Sequence, residues 1–161
     1  MFLQKHPDIN KKHPYGPYGC KIISYFYFAE QLGRKNFTAQ KIVKLTDELI
    51  AKGYLAEDLS VFEKYEKVLP VYLGIPVIKA RREDPFYRPK DNEIGILRLQ
   101  KPKYQHFVPG FYAPGHGWGY SWDSLGVRTG RDKYEITGIR IMELDTDSLN
   151  FPLSVLNPLL L

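Results

Sequence analysis

Cys20 is the only cysteine in a chain of 161 residues, and it stands where a thiol can be activated. The turn-forming stretch Gly16-Pro17-Tyr18-Gly19 precedes it, and an apolar run begins directly after it. A cysteine at the start of a helix faces backbone N–H groups that have no partner within the helix, and the positive end of the helix dipole. Both favour thiolate over thiol. Lys21 adds a neighbouring positive charge. A lone cysteine is more often a small buried hydrophobe, so position alone does not decide. A second pair sharpens the case. Tyr104–Tyr112 and Trp118–Asp123 are consecutive runs of strand character around a Pro-Gly turn. With a loop of Ala113–His116, Tyr112 faces Gly117, and Phe107 and Phe111 face Trp122 and Trp118. The same register sets His106 opposite Asp123, and directly opposed residues of an antiparallel pair share a face. Pro109 is the weak point, because it cannot donate to the ladder and invites a bulge. A carboxylate beside a histidine fixes the imidazole tautomer and stabilises the imidazolium. Cys20, His106 and Asp123 together have the makings of an activated thiol nucleophile.

Elements of two kinds must position these residues. Residues 21–32 are apolar on nearly every side, and Gly33 follows as a stop, which predicts a buried helix. Thr38 caps a second helix with Ile42, Val43, Leu45, Leu49 and Ile50 as its apolar positions, ending near Gly53. A third is expected from Asp58 to Leu69, with Leu59, Val61, Phe62, Tyr65 and Val68 inward and Pro70 stopping or kinking it. Ile75–Lys79 reads as a short strand and residues 81–92 as a charged loop. Strand character returns at Ile94–Leu99, in the two runs around the Pro-Gly turn, and at Tyr134–Leu144. Helices first and a meander of strands afterwards predict an α+β fold with antiparallel pairing. Residues 1–19 read as an extended arm. Residues 145–161 read as an apolar, Pro-broken tail lying on the domain or against a partner.

Composition narrows the classes. Hydrophobic residues make up 43% and charged residues 25%, enough to fill the core of one domain spanning 1–161. No run approaches the roughly 20 apolar residues of a membrane span. The start lacks a secretory signal, and a single cysteine allows no internal disulfide; both favour the cytoplasm. His6, His13 and His116 lack metal-ligand spacing, so no metal site is expected. The segment Pro114–Gly119 has no phosphate-binding pattern and reads as a hairpin turn. The net charge is +5. Basic residues near Phe86, Tyr87 and Tyr104 would suit single-stranded nucleic acid. Glu83, Asp84, Asp91 and Glu93 are mixed among them, so a solvated face is the better reading and a nucleic-acid-binding module ranks third.

Three short motifs carry a resemblance. Tyr18-Gly19-Cys20 before a helix, His106-Phe107-Val108 on a strand and Trp122-Asp123-Ser124 ending the next resemble the papain-like cysteine peptidases. The likeness is to their compact bacterial branch, which includes the leader-peptide-cleaving domains of bacteriocin exporters and related small bacterial and prophage proteins. It implies N-terminal helices packed on an antiparallel sheet, with the central helix starting at Cys20. It also implies a Cys20–His106–Asp123 triad, a peptide or other amide as substrate and no cofactor. Three positions depart from the pattern: Lys21 where the family has Gly, Ser124 where it has Pro, and Pro14 where it has a Gln completing the oxyanion hole. His13, Asn10 or Gln4 would have to replace that donor. The alternative from another class is the same fold without the chemistry, a papain-like binding protein.

Overall fold

A computed structural model describes residues 6–12, 19–33, 36–101, 104–120 and 134–149. The first correction falls in the expected arm. Pro7–Asn10 forms a helical turn, α1, because proline suits the first helical position. The His6 side chain accepts the Asp8 N–H at 3.3 Å, and Ile9 is buried. Cys20–Gly33 is α2. Ile22, Ile23, Tyr25, Phe26, Phe28, Ala29 and Leu32 are all buried there, so packing overrides the strand propensity of the aromatic residues. Ala39–Ala51 is α3. Thr38 caps it by accepting the Lys41 N–H at 3.2 Å, and Gly53 leaves it at φ 70°.

The expected third helix is replaced by something shorter. Asp58 takes the Ser60 N–H at 2.9 Å, Leu59 sits at φ 65°, and Leu55 bridges Val61. This side-chain turn chemistry holds the backbone out of the helix. A 3₁₀ turn follows at Glu63–Tyr65, then α4 at Val68–Tyr72. Pro70 is accommodated because it lies in the first turn of α4, where its missing N–H goes unused.

The strands are β1 (Val77–Glu83), β2 (Glu93–Lys101), β3 (Tyr104–Ala113), β4 (Gly117–Gly119) and β5 (Glu135–Leu144). They form one antiparallel sheet in the order β1-β5-β2-β3-β4. The molecule is therefore α+β, as the sequence predicts. β1 runs four residues past its expected end at Lys79, into the expected charged loop, because its charges find partners on both faces of the sheet. Side chains alternate along each strand. Ile94, Ile96, Met142 and Leu144 face the helices and join their core. Leu97, Leu99, Val108, Ile139 and Ile141 form a second core on the outer face, where Tyr87, Trp118, Tyr120 and Tyr134 pack. After β5 a 3₁₀ turn at Thr146–Ser148 leads to Leu149, which packs on the helical core. The rest of the expected tail lies outside the described residues.

Candidate active site and the adjoining ion cluster

Cys20 is the first residue of α2 and only 7% exposed. One turn later, Ser24 Oγ lies 2.8 Å from the Cys20 carbonyl oxygen and 3.4 Å from that of Phe107. A hydroxyl has a single proton, so Ser24 shares it between the helix and β3. The start of α2 is thereby seated on the strand at the Phe107–Val108 peptide, one residue past His106. Lys21 makes a second tie, with its Nζ 5.4 Å from the centre of the Phe107 ring.

His106 is on β3, as expected, and 1% exposed. It pairs with Leu99 of β2, so its imidazole shares the outer face with Leu99 and Val108, while the Phe107 ring turns toward α2. The described contacts join the two segments through Ser24 and Lys21. Thiol and imidazole could meet only around the edge of β3. Among the described residues that edge is covered by β4 only at Phe111–Ala113.

The hairpin register differs from the expected one. Ala113 faces Gly117, Tyr112 faces Trp118 and Phe111 faces Gly119. The ladder runs through Pro109 without a shift, so no bulge there is responsible. The turn is one residue tighter: Gly115 and Gly117 both adopt φ 82°, and the His116 N–H reaches the Ala113 carbonyl at 3.0 Å. The opposition of His106 and Asp123 rests on the longer loop. Asp123, Trp122 and Ser124 themselves lie outside the described residues, as do Gln4, His13 and Pro14. Asn10 ends α1 and is exposed.

Beside Cys20 the structure builds a group that sequence reasoning does not find. Glu66 Oε1 receives Lys21 Nζ at 3.0 Å, Arg140 Nε at 3.1 Å and Arg82 Nη2 at 3.2 Å. Arg82 Nε lies 3.4 Å from Oε2. The Glu66 side chain is 6% exposed. Burial pushes its carboxyl upward, but Lys21, Arg82 and Arg140 outweigh that and hold it below the usual carboxylate range. Burial lowers Lys21, against the pull of Glu66. Burial, with Glu66 second, raises the Tyr25 phenol nearby. Lys21 is thus a neutralised structural tie more than a free charge for the thiol. The four residues come from α2, the turn just after the 3₁₀ segment, β1 and β5, and only the fold brings them together. No local spacing could have announced them.

Among the described residues, no group of three or more His, Cys, Asp or Glu side chains is arranged to hold a metal ion. No described helix is long and apolar enough to cross a membrane. No curated protein and no solved structure matches the chain. One family model, described as "Protein of unknown function, DUF261", matches residues 5–144. That span runs from α1 through β5 and takes in Cys20, His106, Asp123 and the Glu66 cluster, and the chain belongs to this family.

Proposed function

We propose that this chain is a papain-like cysteine hydrolase of peptide or other amide bonds. The observation that carries the reading is the seat of α2 on β3: the Cys20 turn is tied through Ser24 to the residue next to a fully buried histidine. In the reaction, His106 takes the Cys20 proton and the sulfur attacks the carbonyl carbon, forming a C–S bond. Negative charge gathers on the substrate oxygen, where the Cys20 backbone N–H donates. The C–N bond then breaks, and the amine leaves with the proton from His106. Water, deprotonated by His106, cleaves the thioester and restores the thiol. Asp123 orients the imidazole.

The test is hydrolysis of a broad peptide and amide panel by the parent, Cys20→Ala and His106→Ala. Turnover in the parent, lost in both variants while circular dichroism stays unchanged, is the expected result. One observation favours a second reading. Strand alternation sets the imidazole on the face away from Lys21 and Phe107, as in a binding protein that has this fold without the chemistry. A parent chain inactive across the panel, or equal turnover in Cys20→Ala, would establish that second reading.

A further inference from the structure

We propose that the face of the sheet under α2 holds an oxyanion site, built by Arg140 and Arg82 around the Glu66 cluster. Charge and donor count carry it, independently of catalysis at Cys20. Three cations, Lys21, Arg82 and Arg140, converge on a single carboxylate oxygen, Glu66 Oε1. The other acidic neighbour is Glu63, 3.5 Å from Arg82 Nη1 and itself 73% exposed. The cluster keeps an excess of positive charge with or without it.

The donors tell the same story. Arg140 spends only its Nε on Glu66, and among the described residues its two Nη groups make no hydrogen bond or ion pair. Arg82 and Arg140 are directly paired across β1 and β5, and like charges so placed repel each other. A planar guanidinium whose Nη1–Nη2 edge is open, beside a second guanidinium, has the geometry that takes a carboxylate or phosphate bidentately. Access exists from the β1 side: the Arg82 side chain is 42% exposed and that of Arg140 is 12% exposed. The ligand chemistry is an oxyanion, either a free tetrahedral ion or the anionic group of a larger molecule.

The experiment uses the full chain with inorganic phosphate and, separately, acetate as probes, each against sodium chloride of equal ionic strength. Phosphate in large excess over its dissociation constant is expected to raise the melting temperature by about 5 °C. A matching chemical-shift change should appear at the Arg140 side-chain NH signals in ¹⁵N spectra. Arg140→Gln should lose the phosphate response, whereas Arg98→Gln, on β2 outside the cluster, should keep it. Arg140→Lys, which keeps the charge, guards against simple unfolding and should bind at least tenfold more weakly. A response to acetate as large as that to phosphate assigns the site to carboxylates, and a response to phosphate alone assigns it to tetrahedral anions. Equal shifts in the parent and in a folded Arg140→Gln, or no shift above chloride with either anion, overturn the proposal. Loss of hydrolysis in Cys20→Ala bears on the proposed function alone and leaves this result unaffected.

Discussion

Arg81 and Arg82 are neighbours on β1 and point to opposite faces of the sheet, where they meet opposite surroundings. On the outer face Arg81 finds two carboxylates, Glu83 at 2.6 Å and Glu93 at 2.7 Å. Glu93 is satisfied further by the Tyr87 hydroxyl at 2.8 Å and the Lys90 N–H at 2.9 Å. On the inner face Arg82 finds Glu66, already shared with Lys21 and Arg140. The outer group has more acid than base and each Glu93 oxygen has a partner; the inner group has more base than acid and open donors. A buried ion cluster is closed or receptive according to this balance, and two adjacent residues of one strand can belong to both kinds.

The inner cluster should respond most strongly to substitution. Glu66→Gln removes the one charge holding three cations together and should cost about 3–5 kcal/mol, read from urea unfolding. Phosphate should recover part of that loss. The same variant should flatten the acid limb of the stability profile. The folded Glu66 carboxyl titrates below its ordinary value, so the stabilisation is full above the unfolded pKa. It is lost as pH falls through the lower folded value. Glu93 is held below its ordinary value too, where the Lys90 N–H, Tyr87 and Arg81 outweigh the upward push of burial, so it adds to the same limb.

At the outer cluster, Glu93→Gln should cost less, about 1.5–3 kcal/mol, because Arg81 keeps Glu83. Gly95→Ala probes the apolar part of that face. A Cβ there would meet the Trp118 ring at 2.8 Å and Ile139 at 2.9 Å, for a loss of about 1–3 kcal/mol with a shift in tryptophan emission. The smallest effect is expected at the exposed pair Lys12–Asp47, where Asp47→Asn should change thermal stability by less than about 1 kcal/mol.

The parts of this fold that read directly from the sequence are those fixed by local physics. Cys20 opens its helix and Gly33 ends it, Thr38 caps the next helix, and the largely apolar run Ile94–Leu99 reads as a strand, which the fold buries on both faces. What did not read has identifiable causes. Residues 58–65 carry apolar spacing suited to a helix, yet the Asp58–Ser60 turn and the positive φ of Leu59 prevail. The hairpin loop is tightened by Gly115 and Gly117, and a single residue in a turn changes every pairing along the strands it joins. In the candidate site, the placement of Cys20 and His106 on their elements was legible. The ties through Ser24 and Lys21 were not, because each spans more than 40 residues of sequence. Glu66 carried no local signal at all.

The irregularity in β1 has a consequence for the protein in company. β1 is an edge strand of the sheet, and among the described residues no strand pairs with its far side. Ile78, half exposed, would make that side adhesive. The pairing of β1 with β5 slips between Val77 and Lys79, so the strand is kinked at Ile78 and followed at once by Lys79, Arg81 and Arg82. A kinked, cationic border makes a poor template for strand addition, so the sheet resists growing into an aggregate along β1.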